Sequence, residues 1–348
     1  MQCPRLDHFA KLHPPKSQFG KDAVIMGCCV MTNAPSFRSY EAMMDSQWLK
    51  NIRDTFDQDK FPSECNRCQQ FEELNLESSR MHYVAQHERT VEQFGVDYLT
   101  ISLMLDNICN TACQFCSPEI STKIASLMFH DYEVQDASAY YTELPLERIT
   151  QFDFEGGEPS NSKNVKQILK DLPVSVKSIR INTNCTSFMD ELIPVAEDGI
   201  LILLTISTDG VGKVQEYMRW PTKWDNFVNT LHQYKKFAEA YSDVVNINLH
   251  TTLTALNVYD LDNIMAFAKD SELAHSISQI DGPIALRISD TNSFTIKAKE
   301  KFSSSNDEYL MNLSKGIAVG HNNQALLDNF IGRQDVLRKI SITDYISR

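Results

Sequence analysis

The chain has 348 residues, 42% apolar and 23% charged, a globular balance that excludes collagen-like, low-complexity and wholly disordered architectures. Its 46 acidic and 33 basic side chains leave a net charge of −13. That disfavours non-specific binding along a phosphate backbone, although a nucleotide could still sit in a local basic pocket. The longest apolar stretch, around Ile200 to Ile206, is too short to span a bilayer. The opening Met1-Gln-Cys-Pro-Arg lacks the apolar core of a secretory signal, so a cytoplasmic location is expected.

Residues 1–96 are irregular and punctuated by Pro4, Pro14, Pro15, Pro35 and Pro62. A helix is expected over Ser39–Asp57, where Met43, Trp48, Leu49, Ile52 and Phe56 recur near a helical period. Lys60–Cys68 reads as a loop, and a second helix runs from Cys68 to about Thr90. From Asp97 the pattern alternates strand and helix. Strands are expected near Leu99–Leu105, Ile149–Phe154, Ser178–Thr183, Ile200–Ser207, Val244–Thr252 and Ala285–Ile288. Helices lie between them near Ser117–Met128, Ser162–Leu172, Phe188–Glu197, Trp224–Ala240 and Val258–Lys269. Such alternation implies parallel βαβ units, here six, enough for an open, incomplete α/β barrel with its site at the carboxyl ends of the strands. Residues 291–348 read as a polar, mainly helical tail. The expected division is therefore 1–96, 97–290 and 291–348.

The nine cysteines are odd in number and clustered. Without a signal peptide, such clusters read as metal ligands before disulfides. Cys109-Asn-Thr-Ala-Cys113-Gln-Phe-Cys116 directly follows the strand at Leu99–Leu105. Three thiolates at this spacing reach three corners of a [4Fe–4S] cubane and leave one iron open. A structural zinc ion takes four protein ligands, and no fourth lies nearby in sequence.

This segment resembles the signature of the radical S-adenosylmethionine (radical SAM) enzymes. The resemblance implies that the open iron chelates SAM, and that reduction of the cluster yields a 5′-deoxyadenosyl radical that takes hydrogen from a substrate. Three further stretches agree with it. Glu155-Gly156-Gly157-Glu158-Pro159 resembles the family's Gly-Gly-Glu-Pro, with glycines that let backbone approach a ligand and Glu158 placed to accept from the SAM ammonium. Thr183-Asn184 resembles Thr-Asn-Gly, with Cys185 in place of the glycine. Ser207-Thr-Asp209-Gly210 resembles Ser-x-Asp-Gly, which puts Ser207 and Asp209 near the SAM ribose. By the same resemblance Arg219 contacts the SAM carboxylate, as a bidentate guanidinium can, and Phe115 lies near the adenine. Cys185 is a hydrogen-atom donor or, more simply, a small apolar filler.

Cys3, Cys28-Cys29 and Cys65-Asn-Arg-Cys68 form a second group. With Trp48, Ile52-Arg53, Glu72 and Ser78-Ser-Arg80 they resemble the twitch and SPASM modules, which hold auxiliary iron–sulfur clusters. The resemblance implies one further [4Fe–4S] cluster on Cys3, Cys28, Cys65 and Cys68, with Cys28 preferred over Cys29. In the family these modules usually follow the barrel, whereas here the cysteines precede it. A four-cysteine zinc site is the alternative. The histidines show no ligand spacing, although His250 could line the pocket.

Three functions are open at this point. The first is radical SAM chemistry on a peptide or protein side chain, with flavodoxin or ferredoxin as electron donor. The second is the same chemistry on a nucleotide or other small molecule. The third is a non-catalytic zinc or iron–sulfur binding protein.

Overall fold

The computed structural model describes residues 2–15, 21–28, 30–73, 77–280, 282–289, 292–317 and 324–346. The fold is mixed α/β around an eight-stranded sheet: β1 (Phe9–Leu12), β2 (Ile25–Met26), β3 (Thr100–Leu103), β4 (Gln151–Phe154), β5 (Ser178–Thr183), β6 (Leu201–Ser207), β7 (Val245–Leu253) and β8 (Ala274–Gln279). Their order is β2-β1-β3-β4-β5-β6-β7-β8. The chain packs as two compact units, one of Met1–Asn107, Val134–Ile181 and Glu191–Ile202, the other of Ile108–Glu133, Asn182–Asp190 and Leu203–Arg348.

In the first unit the strands are parallel, except that β2 is antiparallel to β1. Side chains alternate across a strand, and the register stacks like on like. Ile101, Phe152 and Ile179 align, as do Leu103, Phe154 and Ile181, all exposed by 1% or less. Burying each contributes about 1.5–3 kcal/mol. The opposite face is polar: Ser102, Asp153 and Arg180 align, as do Thr100, Gln151 and Ser178.

The N-terminal segment departs from expectation by supplying two strands, so the sheet has eight rather than six. The expected single helix over Ser39–Asp57 is two, Tyr40–Met44 and Gln47–Asp57. The Ser46 hydroxyl caps the second by accepting from Leu49 N at 3.1 Å, a local bond that competes with continuing the first helix. The helix expected from Cys68 to Thr90 is likewise two, Asn66–Glu73 and Ser79–Phe94, the latter capped by Ser78.

In the second unit β7 and β8 are parallel, with Asn248 opposite Ala274 and Leu253 opposite Gln279. The last strand is thus Ala274–Gln279, not Ala285–Ile288. Its sequence, Ala-His-Ser-Ile-Ser-Gln, lies at the sheet edge, where every residue keeps some exposure, so it shows no apolar run. Residues Ile284–Leu286 instead form a short 3-10 turn behind Pro283. Tail helices Ser293–Ser303, Glu308–Gly316 and Gln324–Arg338 follow. Leu327, Ile331, Ile342 and Ile346 join Tyr217, Met218 and Leu256 in one apolar core. Among the described residues, no helix is long and apolar enough to cross a membrane.

The turn after β5 places Cys185 at φ +59, a backbone region that suits glycine and strains other residues by about 1–2 kcal/mol. Its side chain is fully buried. Replacing Cys185 by glycine should therefore leave the unfolding midpoint near native. Replacing it by valine, whose branched carbon crowds this conformation, should cost at least about 2 kcal/mol. Denaturant titration of the two variants checks this.

Candidate functional site

The loop carrying Cys109, Cys113 and Cys116 lies in the second unit and is fixed almost entirely by groups distant in sequence. Ala112 N donates to Trp220 O at 2.6 Å and Gln114 N to Met218 O at 2.9 Å. The Asn184 amide donates to Asn110 Oδ1 at 2.9 Å and to Thr111 Oγ1 at 3.3 Å. Thr122 Oγ1 accepts from Cys109 N and donates to Cys109 O, both at 3.1 Å. Arg338, only 3% exposed, donates Nε to Ala112 O at 2.9 Å and Nη2 to Cys113 O at 3.0 Å. The Thr111 hydroxyl stands 3.3 Å from the Cys109 sulfur and 3.5 Å from that of Cys113.

Arg219 joins this loop to the end of β6. Its Nε lies 2.7 Å from Asp209 Oδ2, its Nη1 donates to Cys113 Sγ at 3.8 Å, and its guanidinium lies 5.6 Å from the Phe115 ring centroid. Asp209 is fully buried, and its Oδ1 accepts from Thr252 N at 2.8 Å. Gln215 spans the strand end, accepting from Asp209 N at 2.7 Å and donating to Ser207 O at 3.2 Å. The Cys113 thiol is drawn toward thiolate by a hydrogen bond from the Cys116 thiol, against burial, with Arg219 and Thr111 assisting. The same bond and burial push Cys116 up. Burial works against the Arg219 charge, but Asp209 and the two sulfurs outweigh it and raise its pKa.

Three cysteine sulfurs on one anchored loop, one of them favouring thiolate, suit an iron–sulfur cubane. Asp209 Oδ2 and Arg219 Nε are buried and, although paired in charge, neither makes an aligned hydrogen bond. Buried atoms of this kind are costly unless satisfied, and a zwitterionic ligand with carboxylate and hydroxyl groups can satisfy them. The donor set therefore fits both a [4Fe–4S] cluster and SAM. Expected residues Cys109, Cys113, Phe115, Cys116, Asn184, Ser207, Asp209 and Arg219 all lie in this unit.

Gly156, Gly157 and Glu158 lie in the first unit, in the turn after β4. Gly156 has φ +107, and a Cβ there would stand 2.8 Å from Met104 Cγ and 3.0 Å from Asp106 O. Only glycine fits this close approach. Asp106, which the sequence reading passed over, anchors the turn: its Oδ2 accepts from Ser162 Oγ at 2.5 Å and Asn164 Nδ2 at 3.2 Å. Glu158 is 1% exposed, and its Oε1 accepts from Ser160 N and Oγ at 3.2 and 2.8 Å.

In the same unit Cys3, Cys28, Cys65 and Cys68 line one cavity, together with Leu6, Phe56 and Arg80. Cys29 lies outside the described residues. Burial, then the neighbouring cysteines, push the Cys3 thiol up to about 12, and Cys65 rises for the same reasons. Two thiols that resist ionising singly, in a cavity lined by four, suit a cationic centre that would take them as thiolates together. The other motif residues hold the walls. Arg80 makes a bidentate contact to Glu72, which also accepts from Ser78 Oγ at 2.5 Å. Arg53 Nη2 donates to Asp7 at 2.6 Å, and Trp48 Nε1 to Glu64 at 3.1 Å. No disulfide joins the eight described cysteines to one another. Among the described residues, no group of three or more Cys, His, Asp or Glu side chains is arranged to hold a single metal ion.

No protein-family model matches the sequence, and no curated protein matches it. The fold search returns solved structures. The protein anSMEcpe with bound AdoMet superposes with a TM-score of 0.42 at 12% identity, covering 64% of this chain and 61% of that one. The same protein with AdoMet and Cp18Cys peptide gives 0.40 at 13%, covering 70% and 67%. SuiB of Streptococcus suis bound to its precursor peptide SuiA gives 0.37 at 12%, covering 78% and 61%. These structural neighbours are radical SAM enzymes. The matched region thus spans about three fifths of the first of them, and the functional reading below rests on this chain's own residues.

Arg338, unremarked in sequence except as a basic group of the tail, is the loop's main clamp. Substituting Arg338 by methionine should leave the Ala112 carbonyl unpaired, at about 1–3 kcal/mol, and leave that of Cys113 with only the Cys116 N–H at 3.3 Å. Hydrogen exchange should then quicken over residues 109–116, with the first unit unaffected. In the first unit, burial pushes the Glu155 carboxyl up, but the Lys11 ammonium 2.8 Å away more than reverses this and leaves it below its usual value. A lowered carboxylate stabilises the fold above its unfolded pKa of about 4.3 and loses that contribution as pH falls through the folded value. Glu155→Gln should therefore lower stability at neutral pH and flatten its acid dependence, as read by denaturant titration from pH 7 to pH 3.

Proposed function

We propose that this chain is a radical SAM enzyme, with Cys109, Cys113 and Cys116 holding a [4Fe–4S] cluster. The observation that carries the reading is Arg219, buried in an ion pair with Asp209 and against the Cys113 sulfur, beside a three-cysteine loop. A bound cluster and SAM would supply the one-electron chemistry that generates a carbon radical. The protein's part is to bind, orient and exclude water. In the second unit Arg219 takes the SAM carboxylate, Asp209 and Ser207 the ribose and Phe115 the adenine, with Asn184 beside them; the motif resemblance also assigns Gly156, Gly157 and Glu158 of the first unit to SAM binding. Residues 97–290 form the catalytic core, a partial barrel, and 291–348 the tail that supports it.

Residues 1–96 form a twitch-like module in which Cys3, Cys28, Cys65 and Cys68 hold an auxiliary [4Fe–4S] cluster. The substrate proposed is a peptide or protein side chain, following the resemblance of this module to those of peptide-modifying enzymes. Flavodoxin or ferredoxin is proposed as donor, in a reducing cytoplasm that keeps the thiols free.

Iron, sulfide and zinc per chain, measured on anaerobically reconstituted protein, test the cofactor assignment. About eight irons are expected, two clusters of four. About four irons with one zinc would make the N-terminal site a structural staple. Cys113→Ala should abolish 5′-deoxyadenosine formation from SAM while leaving the N-terminal metal in place. A variant with all three loop cysteines changed to alanine that still cleaves SAM would refute the proposal.

A further inference from the structure

Apart from the cysteine sites, the first unit contains a cavity of about 170 Å³. Part of its wall is the polar face of the sheet. Phe9, Thr100 and Gln151 are in register there, and the lining continues along β4 through Asp153 to Glu155. Tyr83, His87 and Thr90, which recur at helical spacing on Ser79–Phe94, supply another part, and Arg5 and Arg180 also contribute.

The lining holds two guanidiniums and two carboxylates, and Lys11 beside it adds a third cation. Glu155 is matched by Lys11 at 2.8 Å. Asp153 faces Arg180 at 3.5 Å and accepts from the Gln151 amide at 2.7 Å, and burial raises its pKa, which weakens it further as a counter-ion. Arg5 is 8% exposed. Its guanidinium carbon lies 3.6 Å from the Phe9 ring centroid and 4.0 Å from that of Tyr83. Its Nε and Nη1 have no hydrogen-bond partner, and among the described residues no carboxylate forms an ion pair with it. Arg5 feels only the longer-range pull of Asp153 and Glu155, whose contact partners are Arg180 and Lys11; a buried cation with no carboxylate in contact is costly, and two ring faces return about 2 kcal/mol each. An anion entering the cavity would remove that deficit. A planar guanidinium favours the two oxygens of a carboxylate.

We propose that this cavity is a carboxylate-binding site in which Arg5 recognises the anion. The site takes either a free dicarboxylate or the acidic side chain of a peptide. It does not depend on the radical SAM reading.

The test is calorimetric titration of the anaerobic full-length protein with three probes: glutarate, acetyl-Ala-Glu-Ala-amide and its glutamine isostere. Saturable binding of an acid, at least tenfold tighter than any binding of the amide, is expected. Binding should weaken at least tenfold in Arg5→Gln. Arg180→Gln provides the second variant if the Arg5 substitution prevents folding, and the same loss is expected there. Binding of glutarate alone would assign a free dicarboxylate, and binding of the peptide alone an acidic side chain. Equal binding of acid and amide, undiminished binding in the folded variants, or no response to any probe would overturn the proposal. Cys113→Ala should bind the acid as the native protein does, so failure here and failure of the radical SAM assignment are separate results.

Discussion

The guanidinium of Arg338 ends on the carbonyl oxygens of Ala112 and Cys113, and the conformation of the cysteine loop depends on that contact. A loop between a strand end and a short helix cannot satisfy its own backbone, and buried carbonyls are costly when unpaired. Here the partners come from Trp220, Met218 and the last turn of the final long helix. That helix is held by Leu327 and Ile331 in a core shared with Tyr217 and Met218. The tail is therefore part of the machinery that shapes the cysteine loop, and its packing and the geometry of the three sulfurs are one problem.

Each cysteine set is matched with one arginine that is itself held by a carboxylate. Arg219 stands beside Cys113 and pairs with Asp209. Arg80 lines the cavity of Cys3, Cys28, Cys65 and Cys68 and pairs with Glu72. A clustered set of thiolates is strongly anionic, and a positive group nearby offsets part of that charge. Fixing the arginine through a carboxylate keeps the cation in place and limits the net charge added. The two arrangements differ in burial, since Asp209 is fully enclosed whereas Glu72 keeps some exposure.

The sequence made the cysteine loop, the Gly-Gly turn and the residues at the end of β6 legible because each is a short contiguous run with its own turn chemistry. Ser162 as a helix cap and the helix Trp224–Ala240 were legible for the same local reason. What escaped was non-local. Strand β1 has four residues and is defined by its pairing with β2 and β3 rather than by any local pattern. Strand β8 is an exposed edge with no apolar alternation. Arg338 lies more than two hundred residues from the carbonyls it binds, and no periodicity announces such a bond. Asp106 likewise gains its role only when the strand end and the Ser162 cap come together.

The pairing of β1 with β3 also bears on how the chain is made. Phe9 is registered against Thr100 and Leu12 against Leu103, so the first strand, paired early on one side only with the two residues of β2, lacks its second neighbour until more than a hundred residues have left the ribosome. Closing so long a loop is slow compared with local helix formation. Cys3 and Cys28 flank that waiting strand, and during synthesis their thiols stand open to oxidants and stray metals. The residues that line the four-cysteine cavity all lie between Cys3 and Tyr83, so that cavity is complete in sequence before Thr100–Leu103 emerges to hold the strand between its first two cysteines.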